Sequence, residues 1–251
     1  MKRLDQTLFS RGLARSRTEA QSLIRAGQVR INGQACPKPS EPIADTDELA
    51  VVGPTAPYVS RAGLKLAAAL DAFGINVTGL TVLDAGASTG GWTDCLLQHG
   101  ALRVVALDVG HRQMVPTLAA NPRVENREGV NLRSVTPADF DAPFALVVAD
   151  LSFISLTLVL PVIASLLSDD GQLICLIKPQ FEVGIGGLDK HGIVRDPQAR
   201  ERAIENVRQA AIACNLIERG LMTSPIFGTE GNQEYLIWLS LKAGISMSER
   251  E

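Results

Sequence analysis

The sequence is poor in the residues that build metal sites and disulfide frameworks. Its 251 residues include four cysteines, with no Cys-x-x-Cys pair, and three widely separated histidines. These counts argue against a zinc motif and a disulfide scaffold, and they fit a reducing cytosol. No apolar run follows the basic start Met1-Lys2-Arg3, so no secretory signal is indicated. We therefore expect a cytoplasmic protein without a resident metal.

Long hydrophobic runs are also scarce. Residues 145–167 are apolar and long enough to suggest a membrane span, but Asp150 and Pro161 interrupt them. A buried strand followed by a buried helix explains this segment better, because parallel strands covered on both faces are apolar throughout. We therefore expect no membrane association, and we expect a monomer.

Charges are present, but the two signs are unevenly distributed. Residues 1–38 carry eight Lys or Arg against two acids, whereas the rest of the chain carries 16 bases and 25 acids. A basic N-terminal head on an acidic body predicts that the head contacts a polyanion. The alternative is a solvated basic surface without a partner. The candidate contacts are Arg3, Arg11, Arg15, Arg17, Arg25, Arg30 and Lys38.

The head has the pattern of a small α+β domain. Helices are predicted over residues 4–9 and 17–26, and strands over residues 29–31 and 48–52. Asn32-Gly33 after the first strand is a strong signal for a tight hairpin turn. We assign residues 1–52 to this domain and the proline-containing residues 53–59 to a linker.

From residue 60 onward the pattern alternates between helix and strand. Helices are predicted over residues 61–73, 92–100 and 196–214, with one more between the strands at 144–149 and 172–177; the remaining strands are at 80–83, 103–107, 216–223 and 234–241. This order predicts an α/β fold with a doubly wound, mostly parallel sheet and a terminal antiparallel hairpin. We assign residues 60–243 to this domain and residues 244–251 to a tail.

A glycine-rich turn follows the first strand of the body. Residues 84–91 read DAGASTGG, and the next strand ends in Asp108, an acid suited to a ribose diol. Strand, glycine turn and helix together form a cofactor pocket in open α/β sheets. The Gly-x-x-x-Gly-Gly spacing differs from that of a dinucleotide-binding turn. It favours a ligand without a pyrophosphate, and we predict S-adenosyl-L-methionine.

Polar residues stand at the ends of two further apolar strands. Asp150 follows the strand at 144–149, and Lys178 follows the strand at 172–177. Either residue alone is more simply explained as a helix cap or a solvated loop residue. Because ligands bind at the carboxyl ends of strands in open sheets, adjacent strands would bring this carboxylate and this amine together above the glycine turn.

At this point the residues resemble a known family. The head is similar to the alpha-L RNA-binding domain of a ribosomal protein, and the body is similar to the FtsJ-like methyltransferases. Five ordered segments resemble the TlyA family: residues 60–66 (SRAGLKL), 84–91 (DAGASTGG), 149–155 (ADLSFIS), 178–182 (KPQFE) and 231–235 (GNQEY). The resemblance implies a Rossmann-like methyltransferase fold, ribosomal RNA or ribosomal subunits as partners, and methylation of a cytidine 2′-oxygen. Many family members carry the name haemolysin A.

The resemblance also implies a set of site residues. The catalytic set of the family corresponds to Lys65, Asp150, Lys178 and Glu234. Its cofactor site corresponds to Gly86, Ala87, Ser88, Thr89, Gly90, Gly91, Trp92, Asp108, Val109, Asn131 and Asp150. In-line attack of a ribose hydroxyl on a sulfonium methyl needs positioning and the removal of one proton. Lys178 is expected at the hydroxyl, either as a neutral base or as a charged group that orients the oxygen.

Three features near the predicted site have weaker interpretations. Phe153 and Phe181 flank the catalytic strand ends and either stack a target base or belong to the core. Residues 184–188, with Lys190 nearby, predict a mobile loop at the site entrance. This loop lacks the Lys-Ser/Thr ending of a phosphate-binding P-loop.

Three other functions compete with a methyltransferase. A non-catalytic RNA-binding assembly factor would not need the complete set of two lysines and two acids. A membrane-active haemolysin would need an amphipathic cationic segment, which the sequence lacks. A dinucleotide oxidoreductase is disfavoured by the spacing of the glycines.

Overall fold

The computed structural model describes residues 2–14, 16–36, 38–52 and 57–242. Several sequence-based predictions fall outside these ranges. They are the RNA-binding role of Arg15, most of the predicted linker and the tail at 244–251.

The head consists of two helices against short strands. Its elements are β1 (Lys2–Arg3), α1 (Leu4–Ser10), α2 (Arg17–Arg25), β2 (Val29–Ile31), β3 (Gln34–Ala35), β4 (Pro42–Ile43) and β5 (Leu49–Val51). Strand β1 pairs with β4, and β2 lies between β3 and β5. Asn32 and Gly33 connect β2 to β3 with φ values of 49° and 82°, as a tight hairpin turn requires. Leu4, Leu8, Ile24 and Val29 lie in a core formed by head residues alone.

The body is built around a seven-stranded sheet. Its elements are α3 (Ala62–Phe73), β6 (Thr81–Ala85), α4 (Gly91–Gln98), β7 (Arg103–Asp108), α5 (Pro116–Ala119), β8 (Val124–Glu128), β9 (Phe144–Ala149), α6 (Leu160–Leu166), β10 (Leu167–Ile177), α7 (Pro179–Glu182), α8 (Pro197–Ala213), β11 (Leu216–Thr223) and β12 (Tyr235–Leu241). The strand order is β11-β12-β10-β9-β6-β7-β8. Strands β8, β7, β6, β9 and β10 are parallel, and β12 is antiparallel to both of its neighbours. The predicted fold class is confirmed.

The sheet is buried on both faces. Successive residues of a strand point to opposite sides, so Leu83 of β6 packs in one hydrophobic cluster and Val82 in another. The same alternation separates Val105 from Val104 in β7. This two-sided burial explains why residues 145–167 are so apolar: they contain most of strand β9 and helix α6. Within the described part of the chain, no helix has the length and hydropathy needed to cross a membrane.

The sheet departs from the sequence-based prediction at two places. Strand β8 was not assigned, because its residues Val124–Glu128 include four charged or amide side chains and lack an apolar run. Strand β10 begins at Leu167, five residues before the predicted start, with a register shift between Leu167 and Gln172. Neither difference changes the carboxyl ends of β9 and β10, which the predicted catalytic residues Asp150 and Lys178 directly follow.

Candidate functional site

The glycine turn brings the end of β6 against the end of β9. Gly86 adopts φ 86°, and a Cβ at this position would lie 2.6 Å from the backbone oxygen of Asp150. Ser88 also has a positive φ of 48°. Its amide donates to Asp108 Oδ2 at 2.8 Å, so the turn is tied to the end of β7 as well. Only glycine fits at position 86, because the backbone is left-handed and the neighbouring chain is close.

A cavity of about 550 Å³ opens between the turn and the ends of β7 and β9. This volume is typical of a small-molecule site. Asp108 points its carboxylate into the turn region, where it accepts hydrogen bonds from the amides of Ser88 and Gly110 at 2.8 and 2.7 Å. Six of the predicted cofactor residues line this cavity: Gly86, Ser88, Asp108, Val109, Asn131 and Asp150.

A second cavity of about 250 Å³ adjoins the first. The two cavities share Gly86, Ser88, Asp150 and Ser152 in their walls. All four predicted catalytic residues line the second one: Lys65, Asp150, Lys178 and Glu234. Residues that are up to 169 positions apart in sequence therefore meet at one place, directly beside the glycine turn.

The four residues form two ion pairs. Lys65 Nζ lies 2.6 Å from Glu234 Oε2, and the two side chains are only 8% and 3% exposed. Lys178 Nζ lies 2.7 Å from Asp150 Oδ1. This second contact is off the hydrogen-bonding direction, since Asp150 Oδ1 has no hydrogen-bond partner among the described residues. Charges buried to this extent need such partners, because an unpaired ion loses its hydration without compensation.

Ser152 is a site residue that the sequence analysis missed. Its Oγ accepts a hydrogen bond from Lys178 Nζ at 2.8 Å. The serine lies two positions after Asp150, on the loop that leaves β9, so both residues hold the same amine. Its position in the 149–155 segment was the available signal, but a serine in a loop has no spacing that marks it as functional.

Asp84 was treated as the start of the glycine turn, and the structure gives it a distinct environment. Its side chain is fully buried, with Oδ2 accepting a hydrogen bond from Thr93 Oγ1 at 2.6 Å. Burial, opposed by the Thr93 hydrogen bond and aided by the charge of Asp150, raises the pKa of Asp84 to about 7. Asp84 therefore changes its charge near neutral pH, at the point where β6 enters the glycine turn.

Some predicted cofactor residues have structural contacts instead of an open surface. A Cβ on Gly90 would lie 2.4 Å from Leu118 Cδ1, so this glycine packs against helix α5. Trp92 is 2% exposed, and its Nε1 donates to the Ala62 oxygen at 2.9 Å. Ala87, Thr89, Gly91 and Trp92 border the smaller cavity.

The two aromatic residues differ in exposure. Phe153 is 92% exposed with φ 62°, and its ring centroid lies 5.3 Å from that of the partly buried Phe181. Nearby, the carboxylate of Glu182 accepts hydrogen bonds from Ser155 Oγ at 2.5 Å and from the Leu156 amide at 2.9 Å. Burial raises the pKa of Glu182. These bonds join the loop after β9 to helix α7 after Lys178, so the two catalytic strand ends are braced against each other.

The segment that follows the predicted entrance loop (184–188) is attached to the loop before β12. Asn232 Oδ1 accepts from the Val194 amide at 2.9 Å, and Asn232 Nδ2 donates to the Gly192 oxygen at the same distance. The asparagine is 1% exposed and lies two positions before Glu234. Lys190 is exposed on the same loop.

The predicted RNA-binding cations of the head fall into two groups. Arg25 and Lys38 are exposed, whereas Arg11 donates to the backbone oxygens of Asp47, Ala44 and Asp45 at 2.7–3.4 Å. Arg30 likewise donates to a backbone oxygen, that of Gly27, at 2.7 Å. Arg3 and Arg17 form ion pairs with Asp5. Sequence reasoning counted these charges correctly but did not predict that most would be held in place.

No group of three or more His, Cys, Asp or Glu side chains able to hold a metal is found in the described ranges. The sheet, the glycine turn and the polar strand ends define the class: an α/β protein with the methyltransferase fold.

Comparisons with known proteins agree with this class. The model of the FtsJ-like methyltransferase family matches residues 58–241, and the model of the S4 domain matches residues 2–49. The chain is 45% identical over 249 residues to the 16S/23S rRNA (cytidine-2′-O)-methyltransferase TlyA of Mycobacterium tuberculosis, covering 99% of this chain and 93% of the relative. It is 44% identical to Hemolysin A of Brachyspira hyodysenteriae, covering 93% of this chain and 98% of the relative.

Solved structures show the same architecture. A Streptococcus thermophilus protein described as a hemolysin has 39% identity and a TM-score of 0.77, with 99% of this chain and 93% of that chain covered. A magnesium protoporphyrin IX methyltransferase of Synechocystis, with S-adenosylhomocysteine bound, shares the fold at 17% identity and a TM-score of 0.50, covering 72% of this chain and 82% of that one. The chain belongs to the FtsJ-like methyltransferase family, in the TlyA-like group that carries an S4 domain at its N-terminus. The predicted family resemblance is confirmed.

Proposed function

We propose that the protein transfers a methyl group from S-adenosyl-L-methionine to the 2′-oxygen of a cytidine in ribosomal RNA, with the head as the RNA anchor. The observation that carries this proposal is the small cavity in which Lys65, Asp150, Lys178 and Glu234 meet beside the glycine turn. The tuberculosis relative bears this activity in its name. We retain the division into a head (1–52), a linker (53–59), a body (60–243) and a tail (244–251) as part of the proposal.

The larger cavity fits the cofactor. Gly86 leaves room for close approach at the turn, and each oxygen of the Asp108 carboxylate accepts one amide hydrogen bond from the described residues. A carboxylate oxygen has further lone pairs, which can accept from a ribose diol. When bound, S-adenosyl-L-methionine supplies an electrophilic methyl group. Ala87, Ser88 and Thr89 line the smaller cavity, Ser88 also lines the larger one, and these residues would hold the methionine end.

Lys178 is the residue proposed to act at the substrate hydroxyl. An ammonium group has three hydrogens to donate. One is directed at Ser152 Oγ, and the ion pair with Asp150 holds the ammonium without an aligned hydrogen bond, so hydrogens remain for the ribose oxygen. A charged amine in this arrangement orients the hydroxyl and stabilises negative charge that develops on the oxygen. The geometry supports the orienting role over that of a neutral base.

The second ion pair closes the other side of the cavity. Lys65 comes from helix α3 and Glu234 directly precedes strand β12, so their contact joins these two elements at the wall of the small cavity. We propose that this pair shapes the pocket for the ribose and that exposed Phe153 stacks on the target base. The protein would act as a monomer in the cytoplasm on ribosomal RNA, either free or in subunits.

The proposal is tested with ribosomal RNA from cells that lack this gene. We expect Lys178→Ala to lower the rate of 2′-O-methylation by about 10³-fold or more, because the oriented donor at the oxygen is lost. Binding of S-adenosyl-L-methionine, measured by calorimetry, should stay near the wild-type value. Lys242→Ala is the matched control, since this exposed lysine lies outside both cavities of the site. Wild-type turnover by Lys178→Ala would refute the assigned role.

A further inference from the structure

Asp5 is a fully buried acid in the head. It lies in the first turn of helix α1, between the core residues Leu4 and Leu8, and its side chain is 0% exposed. The hydrogen bond from Arg3, opposed by burial and aided by Gln21, holds the pKa of Asp5 well below its usual range. A charged group at this depth requires close partners. The acid is therefore ionised, and its partners determine what it does.

Those partners come from two different elements of the head, strand β1 and helix α2. Arg3 of β1 donates through Nε to Asp5 Oδ1 at 3.0 Å and through Nη2 to Oδ2 at 3.2 Å. Arg17, at the start of α2, contacts Oδ2 through Nη2 at 3.4 Å. Gln21 of the same helix donates to Oδ2 at 2.8 Å. The Asp5 carboxylate thus holds the side chains of two arginines, Arg3 of β1 and Arg17 of α2.

The two arginines remain accessible on the other side. Their side chains are 47% and 51% exposed, although both contact a buried acid. A guanidinium carries five donor hydrogens, and Arg3 uses one on Nε and one on Nη2 for Asp5. Its Nη1 group and the second hydrogen of Nη2 have no acceptor among the described residues. A planar pair of donors of this kind fits two oxygens of one phosphate.

We propose that Asp5 is a positioning residue that holds Arg3 and Arg17 as a preformed phosphate-binding pair on the head. This inference rests on the proposed function, in which the head anchors RNA. Free arginine side chains lose rotamer freedom when they bind, and that loss weakens affinity. Asp5 restricts the two arginine side chains before RNA binds, so less rotamer entropy is lost on binding and the affinity is higher.

For Asp5→Asn, the proposal predicts a change in RNA affinity opposite to the change that net charge alone predicts. Asp5→Asn adds one positive charge to a basic head, so long-range electrostatics predicts tighter RNA binding. Loss of the positioned pair predicts weaker binding, by about tenfold, because two rotamer-rich side chains must then be ordered on association. Glu48→Gln is the matched control: it changes the charge of the head equally, at an exposed position where the backbone amide, which the substitution keeps, donates to Asn32 Oδ1.

The experiment measures the affinity of full-length protein for deproteinised 23S ribosomal RNA by filter binding over a salt series. We expect Asp5→Asn to bind about tenfold more weakly at moderate salt, with a salt slope flatter by about one unit. Glu48→Gln should bind as tightly as wild type or slightly more tightly. Equal or tighter binding by Asp5→Asn, with wild type binding normally, would overturn the role of Asp5 and leave the proposed function intact. Failure of wild type to bind RNA would overturn both.

A second variant separates positioning from folding. Asp5→Asn is first checked for an intact head by far-ultraviolet circular dichroism and thermal unfolding. If its head is unfolded, the double variant Arg3→Lys/Arg17→Lys decides, since it keeps both charges and Asp5 but removes the planar donor pairs. We expect this variant to lose affinity by a similar factor. Wild-type affinity would show that only net charge matters and would contradict the proposal.

Discussion

The head and the body of this protein use charged side chains in opposite ways. In the head, exposed arginines are held by backbone oxygens or by one buried acid, so their free donors face solvent. In the body, the lysines of the site are themselves buried and are paired with acids at the ends of strands, the buried Glu234 and the partly buried Asp150. Surface cations suit contact with a long polyanion, whereas buried pairs suit the orientation of a single reacting group.

The largest expected difference is in the free energy of unfolding lost when a buried or a surface ion pair is broken. Lys65→Ala would leave Glu234 buried without its partner, so we expect the body to lose about 3–5 kcal/mol in free energy of unfolding. Arg208→Ala, which removes the half-exposed partner of Glu218, should cost only about 0–1 kcal/mol. Urea unfolding followed by tryptophan fluorescence measures both, because both tryptophans of the chain, Trp92 and Trp238, belong to the body. Similar losses for the two variants would contradict the distinction between buried and surface pairs.

The pH dependence of stability should also differ in sign between the two regions. The pKa of Asp84 is raised from 3.8 to about 7, so the native body binds more protons than the unfolded chain within that window. Its contribution to stability is therefore lost as the pH rises toward 7, by at most about 1.4 kcal/mol per pH unit. The pKa of Asp5 is lowered, so the contribution of Asp5 is present above pH 3.8 and is lost as the pH falls below that value.

Thermal unfolding between pH 3 and 8 measures this difference. Tryptophan fluorescence follows the body, and nuclear magnetic resonance signals of residues 2–52 follow the head. We expect Asp84→Asn to flatten the pH dependence of the body between pH 4 and 7 and to leave the head unchanged. An unchanged pH profile in Asp84→Asn would show that another group controls it.

A smaller difference is expected between two glycines with similar backbone angles. Gly86 in the body and Gly33 in the head have φ values of 86° and 82°. An added Cβ at Gly86 meets the Asp150 oxygen at 2.6 Å, whereas nothing lies within 4 Å at Gly33. Gly33→Ala should therefore cost about 1 kcal/mol of head stability, from the left-handed backbone alone. Gly86→Ala should cost more and should also weaken binding of S-adenosyl-L-methionine, as measured by calorimetry. Equal costs and unchanged cofactor affinity would show that the close approach at Gly86 is unimportant.

The sequence was most informative where local chemistry is strong. The hairpin at Asn32-Gly33, the apolar strand β9 and the glycine turn each have a residue pattern that few other structures share. Strand β8 was missed because a charged edge strand is stabilised by its neighbour β7 and not by its own pattern. Lys178 and Asp150 were expected to meet because parallel strands end at one edge, and the structure places them 2.7 Å apart.

Contacts that depend on side-chain rotamers could not be predicted in the same way. Ser152 lies in the loop after β9 and Glu182 is the last residue of the short helix α7, and nothing in their spacing shows that they brace the catalytic strand ends. The same is true of Asp5, which sequence analysis counted only as one acid in a basic head. Burial turned it into the common partner of Arg3 and Arg17.

The central claim is that the head binds RNA and the body performs the chemistry. It is tested most directly by removing about 55 N-terminal residues and measuring the affinities for S-adenosyl-L-methionine and for ribosomal RNA. The predicted proline-containing linker at 53–59 is a physically reasonable place for this truncation. We expect the truncated protein to bind S-adenosyl-L-methionine as the full chain does. Its affinity for 23S ribosomal RNA should fall sharply, with a flatter salt dependence, because phosphate contacts made by the head are lost. Equal RNA affinities and equal salt slopes for the two proteins would contradict this account.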